Sequence, residues 1–436
     1  MKDTTGKKTL VLRMIALCFA SSIVFEIPYL SWTFYDAMQV SLELTNGQMG
    51  SLMTVYGLAA LICRFPGGWL ADVVPERVLL TISLAGTGVL GLFVILHPPY
   101  VLCLVIWACM GITAVLPMWA AIIKATRRLG DSNVQNRLFG VLESGRSAIP
   151  MIYCLGVVAI FNIVVAKSGS EIIGLNVGII TFCVLMFMSA VSVWIAYKPK
   201  EGENKTLKGE TTAVKWSEVK TVIKLPGVWL LAGIIFSSYL VYISLSYITP
   251  YTTEIYGAST STAAVLSAIR TYGIGIFGAL IAGFIADKAG STIKVVSVSF
   301  VLIAAGLMSF FIAPVGSQYL WIAIVIMLAV AFVIFIPRGI YFAIIDEIGI
   351  PVKYTGAAVG VASFIGYSPD VFAYSVIGSW LDAHPGIEGF HRAFIFMATV
   401  SLVGFILSII AYKYIKKHIK PRVHKTVKYI KYIIKL

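Results

Sequence analysis

Two copies of one short phrase, Gly68-Trp69-Leu70-Ala71-Asp72 and Gly283-Phe284-Ile285-Ala286-Asp287, lie 215 residues apart in a chain of 436. Each closes a long apolar run and opens a short charged turn, so the pair marks equivalent points in two halves of a duplicated chain. Further matches follow in the same order. Pro117-Met118-Trp119 answers Pro337-Arg338-Gly339, and Gly140 answers Gly356.

The runs around the two phrases identify the solvent. Hydrophobic residues make up 59% of the chain and charged ones 12%, too few charges to coat a soluble protein of this size. Twelve stretches are long enough to cross about 30 Å of hydrocarbon as helices rising about 1.5 Å per residue. They fall at 11–36, 46–71, 78–97, 100–123, 138–165, 172–197, 226–250, 260–286, 293–313, 318–345, 354–379 and 391–414. The expected fold is an all-α membrane protein of two pseudo-symmetric six-helix bundles, at 1–197 and 226–414. A polar linker with seven Lys and four Glu joins them at 198–225, and a basic tail follows at 415–436. In that tail Val423, Val427, Ile430 and Ile434 recur at helical spacing between lysines, which reads as an amphipathic helix on the membrane surface or else as a disordered basic segment.

The N-terminus imitates a secretory signal, with Lys2, Lys7, Lys8 and Arg13 before an apolar run. That run continues past Glu26 to about Asp36 and eleven more spans follow, so it reads as the first helix rather than a cleaved leader. With the N-terminus inside, cytoplasmic segments hold 28 of the 34 Lys and Arg and outside loops only Lys167 and Arg392. The positive-inside rule therefore places both termini in the cytoplasm. The same excess accounts for the net charge of +14 through anionic lipid, without nucleic acid.

All six cysteines lie in expected spans with no CxxC spacing, and all five histidines lie at span ends, in loops or in the tail. Neither a disulfide framework nor a zinc site is expected, nor any cofactor. Gly273-Ile274-Gly275-Ile276-Phe277-Gly278 satisfies GxGxxG, yet no strand precedes it and its surroundings are apolar on both sides. Close helix approach in lipid explains it better than a nucleotide loop.

The duplicated phrase resembles the signature of the major facilitator superfamily, where it forms the cytoplasmic turns after the second and eighth helices. Gly283, Ile285, Ala286, Asp287, Lys288 and Gly290 follow that pattern; the first copy keeps Gly68, Leu70, Ala71, Asp72, Arg77 and Leu80 but has Val73, Pro75 and Glu76. Within the superfamily, the segments 44–50, Arg137-Leu138-Phe139-Gly140 with Glu143-Ser144-Gly145-Arg146, and Phe364-Ile365-Gly366-Tyr367 are similar to a bacterial inner-membrane branch, the YihN-like proteins. The resemblance implies a multi-pass permease of the bacterial inner membrane and carries over no binding residue. Independently of it, the glycines suit helix contact, and each Asp can sit against the positive end of a helix, Asp72 near Gly356 and Asp287 near Gly140. Gly68, Asp72, Arg77, Gly283, Asp287 and Lys288, with Glu143 and Arg146, are the expected gating residues.

Seven charges remain deep in the expected spans: Glu26, Arg64, Glu143, Arg146, Arg270, Arg338 and Asp370. Each costs roughly 2.5–3.5 kcal/mol at the bilayer centre if unpaired, so each needs a partner or a wet cavity. Glu143 and Arg146 are three apart on one helical face and read as an ion pair, Arg146 also being a candidate for the cavity. Arg64, close to the cytoplasmic end of its helix, is expected to snorkel. Arg270, Glu26 and Asp370 fall near mid-membrane, where carriers of this kind bind substrate. Arg338 joins them because Pro337 bends its helix. Tyr29, Tyr272 and Tyr367 lie one or two turns from these charges and offer rings for a sugar or an organic cation.

With Arg64 set aside, three arginines face three carboxylates. A protonated carboxylate, Glu26 or Asp370, would free one arginine for an anionic substrate and link proton binding to substrate binding. If all stay paired, a zwitterionic or sugar substrate fits instead. The expectation is a monomeric secondary transporter, proton-coupled, moving a small polar organic anion by alternating access. A membrane sensor signalling through the linker or tail is the reading from another class. An enzyme is not expected, since no nucleophile, base and orienting acid gather in the sequence.

Overall fold

Hydrocarbon offers no partner for main-chain N–H and C=O groups, so apolar runs must close their hydrogen bonds internally. Among the described residues every regular element is helical. The computed structural model describes residues 2–129, 135–197, 216–351 and 354–419. Most of the linker, 198–215, and of the tail, 420–436, lie outside that set, and so do the side chains of Asp72 and Arg137 and any contact of Gly68.

Twelve helical stretches follow one another: α1 (2–42, interrupted), α2 (Asn46–Val73), α3 (Glu76–Val94), α4 (Tyr100–Arg127), α5 (Gln135–Ser168), α6 (Glu171–Ala196), α7 (Pro226–Tyr256), α8 (Thr260–Ala289), α9 (Thr292–Ser309), α10 (Ser317–Glu347), α11 (355–383, interrupted) and α12 (Ile387–Ile419). Nine helices among the described residues are long and apolar enough to span a membrane. The other three stretches are α1, α2 and α11. Inside the expected linker, Trp216–Val222 is a helix, packed on the start of α11. The side of the molecule that carries it is called here the linker face.

The GxGxxG segment lies along α8, as helix packing requires. A Cβ on Gly278 would lie 2.6 Å from the Phe335 Cβ, and one on Gly275 3.1 Å from its ring. Small residues thus let α8 and α10 touch.

At the opposite face the two halves close on each other along α2 and α11. A Cβ on Gly50 would fall 2.3 Å from the Tyr374 carbonyl oxygen, and one on Gly378 2.2 Å from that of Asn46. Main chain lies on main chain here. At the linker face, by contrast, a Cβ on Gly140, Gly283 or Gly356 would meet nothing within 4 Å, and Asp287 and Lys288 are exposed. The structure is therefore closed at the opposite face and open at the linker face.

Candidate functional site

Three of the interior charges, Glu26, Arg270 and Asp370, sit where regular α-helix is interrupted. Regular helix in α1 stops at Ile23 and resumes at Tyr35, around Pro28, which has no N–H to give. Neighbours take up the freed carbonyls. Trp107 Nε1 donates to Pro28 O at 3.1 Å, and Trp32 O receives Thr249 Oγ1 at 3.3 Å and Ser267 Oγ. Glu26 lies in this turn, 7% exposed. Its Oε1 accepts from the hydroxyls of Tyr153 on α5 and Tyr272 on α8, both at 2.8 Å. One carboxylate oxygen therefore joins the two halves.

Opposite it, α8 widens into a π-turn at Ile269–Gly273 that carries Arg270 and Tyr272. Arg270 is 1% exposed and donates to Thr249 Oγ1 at 3.3 Å and Ser267 Oγ at 3.0 Å. Its Nε is buried without a partner. In α11 a tight turn at Ser368–Val371 around Pro369 presents Asp370. Asp370 Oδ2 accepts from Tyr239 at 2.8 Å, while Oδ1 is buried without a partner.

Two further guanidinium groups face a set of tyrosines. Arg338, beside Pro337 inside α10, lies 3.7 Å over the ring of Tyr242. Arg64, from α2 in the other half, lies 4.8 Å over the ring of Tyr367. The expectation that Arg64 snorkels to the membrane surface is corrected. Its guanidinium turns inward to an aromatic face, which rewards a partly desolvated cation better than the interface does. Tyr239 packs between these rings, 4.6 Å from Tyr367 and 6.1 Å from Tyr242. The belt continues into the first half through Tyr242–Trp32 at 5.1 Å, Trp32–Tyr29 at 5.6 Å and Tyr29–Tyr56 at 5.3 Å. Tyr367 also exchanges a hydrogen bond with Tyr341 at 3.1 Å.

The resulting electrostatics are lopsided. Among the described residues no carboxylate lies within 4.0 Å of Arg64, Arg270 or Arg338, whereas Glu143 and Arg146 pair at 3.0 Å. Glu26 and Asp370 are held by tyrosine hydroxyls instead of by arginines. The interior thus carries three guanidinium groups against two acids, with rings supporting the cations and phenols supporting the anions. Such a site offers unspent charge-assisted hydrogen bonds to an anion. Among the described residues no group of three His, Cys, Asp or Glu side chains stands ready to hold a metal.

The contacts that close the opposite face were not visible in the sequence. Asp382 accepts from the main-chain N–H groups of Asn46 at 2.8 Å and Gly47 at 2.7 Å, placing its charge on the positive end of the 28-residue α2. Thr54 and Ser375 bond at 2.8 Å along the same seam, and Thr253 of α7 donates to Asp36 at 3.0 Å. At the linker face the turn after α2 is held within its own half. Arg77 lies 3.6 Å over Trp194, Glu76 pairs with Arg128 at 2.6 Å, and Lys124 Nζ donates to Ala71 O at the end of α2. Arg146 lies 5.1 Å over Trp119 as well as on Glu143.

The sequence reading named Glu26, Arg270, Arg338 and Asp370 and three of the rings, Tyr29, Tyr272 and Tyr367, all of which the fold gathers in the interior. It set Arg64 aside and missed the roles of Tyr153, Tyr239, Tyr242, Thr249, Ser267 and Asp382. One signal was available for the tyrosines: Tyr239 and Tyr242 are three apart and so share a helical face. A second lay in the capping box of Thr45 and Gln48, which marks the helix start that Asp382 meets.

Similarity to known proteins agrees with this architecture. Inner membrane protein YihN of Escherichia coli (strain K12) is 30% identical over 95% of this chain and 98% of its own length. Inner membrane protein YqcE of the same organism is 27% identical over 92% and 94%. Among solved structures, a bacterial homologue of the human lysosomal transporter Spinster, in an inward-facing, unoccupied conformation, superposes with a TM-score of 0.71 at 14% identity over 94% of this chain and 98% of that one. The nucleoside transporter NupG, as a mutant, gives 0.71 at 13% identity over 92% and 100%. Those two share the fold. Residues 14–373 match the Major Facilitator Superfamily model, so this chain belongs to that superfamily and is a multi-pass membrane transporter.

Proposed function

We propose that the chain imports or exports a small organic anion, such as a carboxylate, sulfonate or sugar acid, across the bacterial inner membrane in a proton-coupled cycle. The observation that carries the reading is the set of three interior guanidinium groups that, among the described residues, have no carboxylate partner. Arg64 and Arg338 come from opposite halves onto neighbouring tyrosines and are reachable from the open linker face. An anion bound between them draws the halves together there, which is the step an alternating-access carrier needs.

Glu26 and Asp370 supply the coupling. Protonating either raises the positive surplus of the interior and strengthens anion binding. Deprotonation returns a carboxylate that competes for the arginines and expels the substrate. Glu26 also holds Tyr153 and Tyr272 on one oxygen, so its charge state bears on how firmly the halves stay joined. In this reading both termini are cytoplasmic, the linker face is the inner face, and Asp72, Arg77, Asp287 and Lys288 close it when the halves rock back. Glu143, 66% exposed at its side chain in the open state, and Arg146 line the path.

The test is uptake in proteoliposomes. Labelled gluconate, benzoate, methanesulfonate, glucose and choline are offered with and without an imposed proton gradient. At least one anion is accumulated, faster with protons moving in the same direction, and Arg338→Ala abolishes it. Accumulation of choline or glucose in preference to every anion refutes the substrate class. Anion uptake indifferent to the gradient refutes the coupling.

A further inference from the structure

Arg270, unlike Arg64 and Arg338, is not reachable in this conformation. It is 1% exposed, its Nε has no partner, and its two hydrogen bonds go to hydroxyls rather than to an anion. Those hydroxyls have a second duty. Thr249 Oγ1 and Ser267 Oγ, both in the second half, each donate onward to the main-chain oxygen of Trp32 in the first half. Three groups on α7 and α8 therefore converge, directly or through one hydroxyl, on a single oxygen supplied by the interruption in α1. The rest of Trp32 is clasped by the same half: its indole N–H donates to the Tyr374 hydroxyl at 3.1 Å and its ring packs on Tyr242 at 5.1 Å.

This arrangement is an oxygen-binding cradle with a main-chain carbonyl in it. The guanidinium polarises the two hydroxyls, which strengthens their donation to the oxygen beyond. The carbonyl is available because α1 departs from regular α-helix there. Its partners lie across the boundary between halves, so opening the opposite face must pull the oxygen out and leave a buried cation with two unspent hydroxyl donors. In a low-dielectric wall that state needs a replacement acceptor, and an anionic oxygen fits it better than a carbonyl does.

We propose that Arg270, Thr249 and Ser267 form the anion site of the conformation open to the opposite face, and that the Trp32 carbonyl is the stand-in that fills it when that face shuts. The substrate's anionic group and Trp32 O then compete for one cradle. Closure ejects the anion toward Arg64 and Arg338, which the linker face exposes. The inference rests on the chain being an anion carrier and adds residues and an order of contacts to it.

The experiment reads the opposite face directly. A cysteine replaces Ser375, which is bonded to Thr54 in the closed seam, and a membrane-impermeant maleimide is applied from that side to intact reconstituted protein. Acetate, benzoate, gluconate and methanesulfonate serve as probe anions. In the Ser375→Cys parent at least one of them speeds labelling, since it selects the open cradle. Thr249→Val with Ser267→Ala removes both bonds to Trp32 O, and labelling without anion rises about thirtyfold, the effect of two lost buried hydrogen bonds, while the response to anions disappears. Arg270→Gln loses the anion response too. The double variant is nearly isosteric, so it reports even if Arg270→Gln fails to fold. Unchanged basal labelling in the double variant overturns the clasp. Anions that speed labelling equally in parent and variants overturn the cradle but leave the carrier reading standing. If no probe affects the parent while the double variant still labels faster, the anion assignment itself is overturned.

Discussion

Removing the Asp382 carboxylate should open the face that this structure shows closed. The two N–H groups it receives, from Asn46 and Gly47, are at 2.8 and 2.7 Å, short enough for charge-assisted bonds. Bonds of that kind contribute about 1.5–3 kcal/mol each when buried. Here both the carboxylate and the helix end are near water, so roughly 1 kcal/mol apiece is the fairer figure once screening is allowed for. The favourable placement of a negative charge at a helix N-terminus is part of that sum and is not added again. Asp382→Ala therefore costs the closed state about 2 kcal/mol, close to a thirtyfold shift toward the state open at that face. The loss is confined to the contact between halves, because Thr45 and Gln48 still cap α2 through their own reciprocal bonds at 3.3 and 3.0 Å.

The measurement is electron–electron distance spectroscopy between spin labels at Val40 and Glu254, exposed positions on α1 and α7 in different halves. In wild-type protein the short distance dominates; in Asp382→Ala a longer one becomes the major population. Asp382→Asn keeps the shape and one acceptor, so it falls between the two. Glu388→Ala, which breaks an exposed pair with Arg392 on α12, serves as the control for generic loss of surface charge. A distance distribution unchanged in Asp382→Ala, or changed equally in Glu388→Ala, refutes the claim that this carboxylate locks the halves.

Gly378→Val acts on the same seam in the opposite manner, since its side chain meets the Asn46 carbonyl instead of removing a bond. Overpacking of about 1–3 kcal/mol, at the upper end because main chain cannot yield, should hold the opposite face open and halt the cycle, with transport lost and the long spin-label distance dominant. Glu26→Gln keeps an oxygen for Tyr153 and Tyr272 but cannot ionise. Counterflow of substrate should survive while acceleration by a proton gradient is lost, and gradient-driven accumulation in this variant would exclude Glu26 as the coupling group. Arg338→Lys retains charge but not the planar group stacked on Tyr242. Apparent substrate affinity should fall by about tenfold, the equivalent of 1.4 kcal/mol, with the melting temperature of the detergent-solubilised protein little changed. A fall in stability matching the fall in affinity would assign Arg338 a structural part.

Much of the fold was legible because bilayer physics is severe. An apolar run of some twenty residues has one stable form in hydrocarbon, and duplication of Gly68–Asp72 at Gly283–Asp287 marks equivalent points in two halves. Helix interruptions were less legible. Pro28 and Pro369 sit in two of them, yet the spans 11–36 and 354–379 were expected to be continuous, and no residue announces the π-turn around Arg270. The charges were found because each is expensive in lipid. The groups that hold them were not, since tyrosine, serine and threonine cost little in a membrane helix and carry no comparable signal. Arg64 was misplaced for a related reason. Sequence distance to the membrane surface sets how far a side chain can reach, whereas the direction it takes depends on Tyr367, 303 residues later.

The same severity explains why Glu26, Arg270 and Asp370 coincide with the interruptions. A regular helix satisfies its own main chain and presents side chains at fixed intervals, so it has nothing left to offer a substrate except those side chains. Where α1 breaks, the carbonyls of Pro28 and Trp32 become acceptors, and the fold must bring donors to them: Trp107 from the same half for one, Thr249 and Ser267 from the other half for the second. The first bond fixes the break within its bundle. The second can exist only while the halves are together at that face. Arg270 stands behind the second set and Asp370 within another break, so charge has been placed where bonding changes with conformation. A charge on an unbroken, lipid-backed helix would experience the same surroundings in every state and could not report on the motion. Conformational coupling in this protein thus begins with main-chain hydrogen bonds that a continuous helix would have kept to itself.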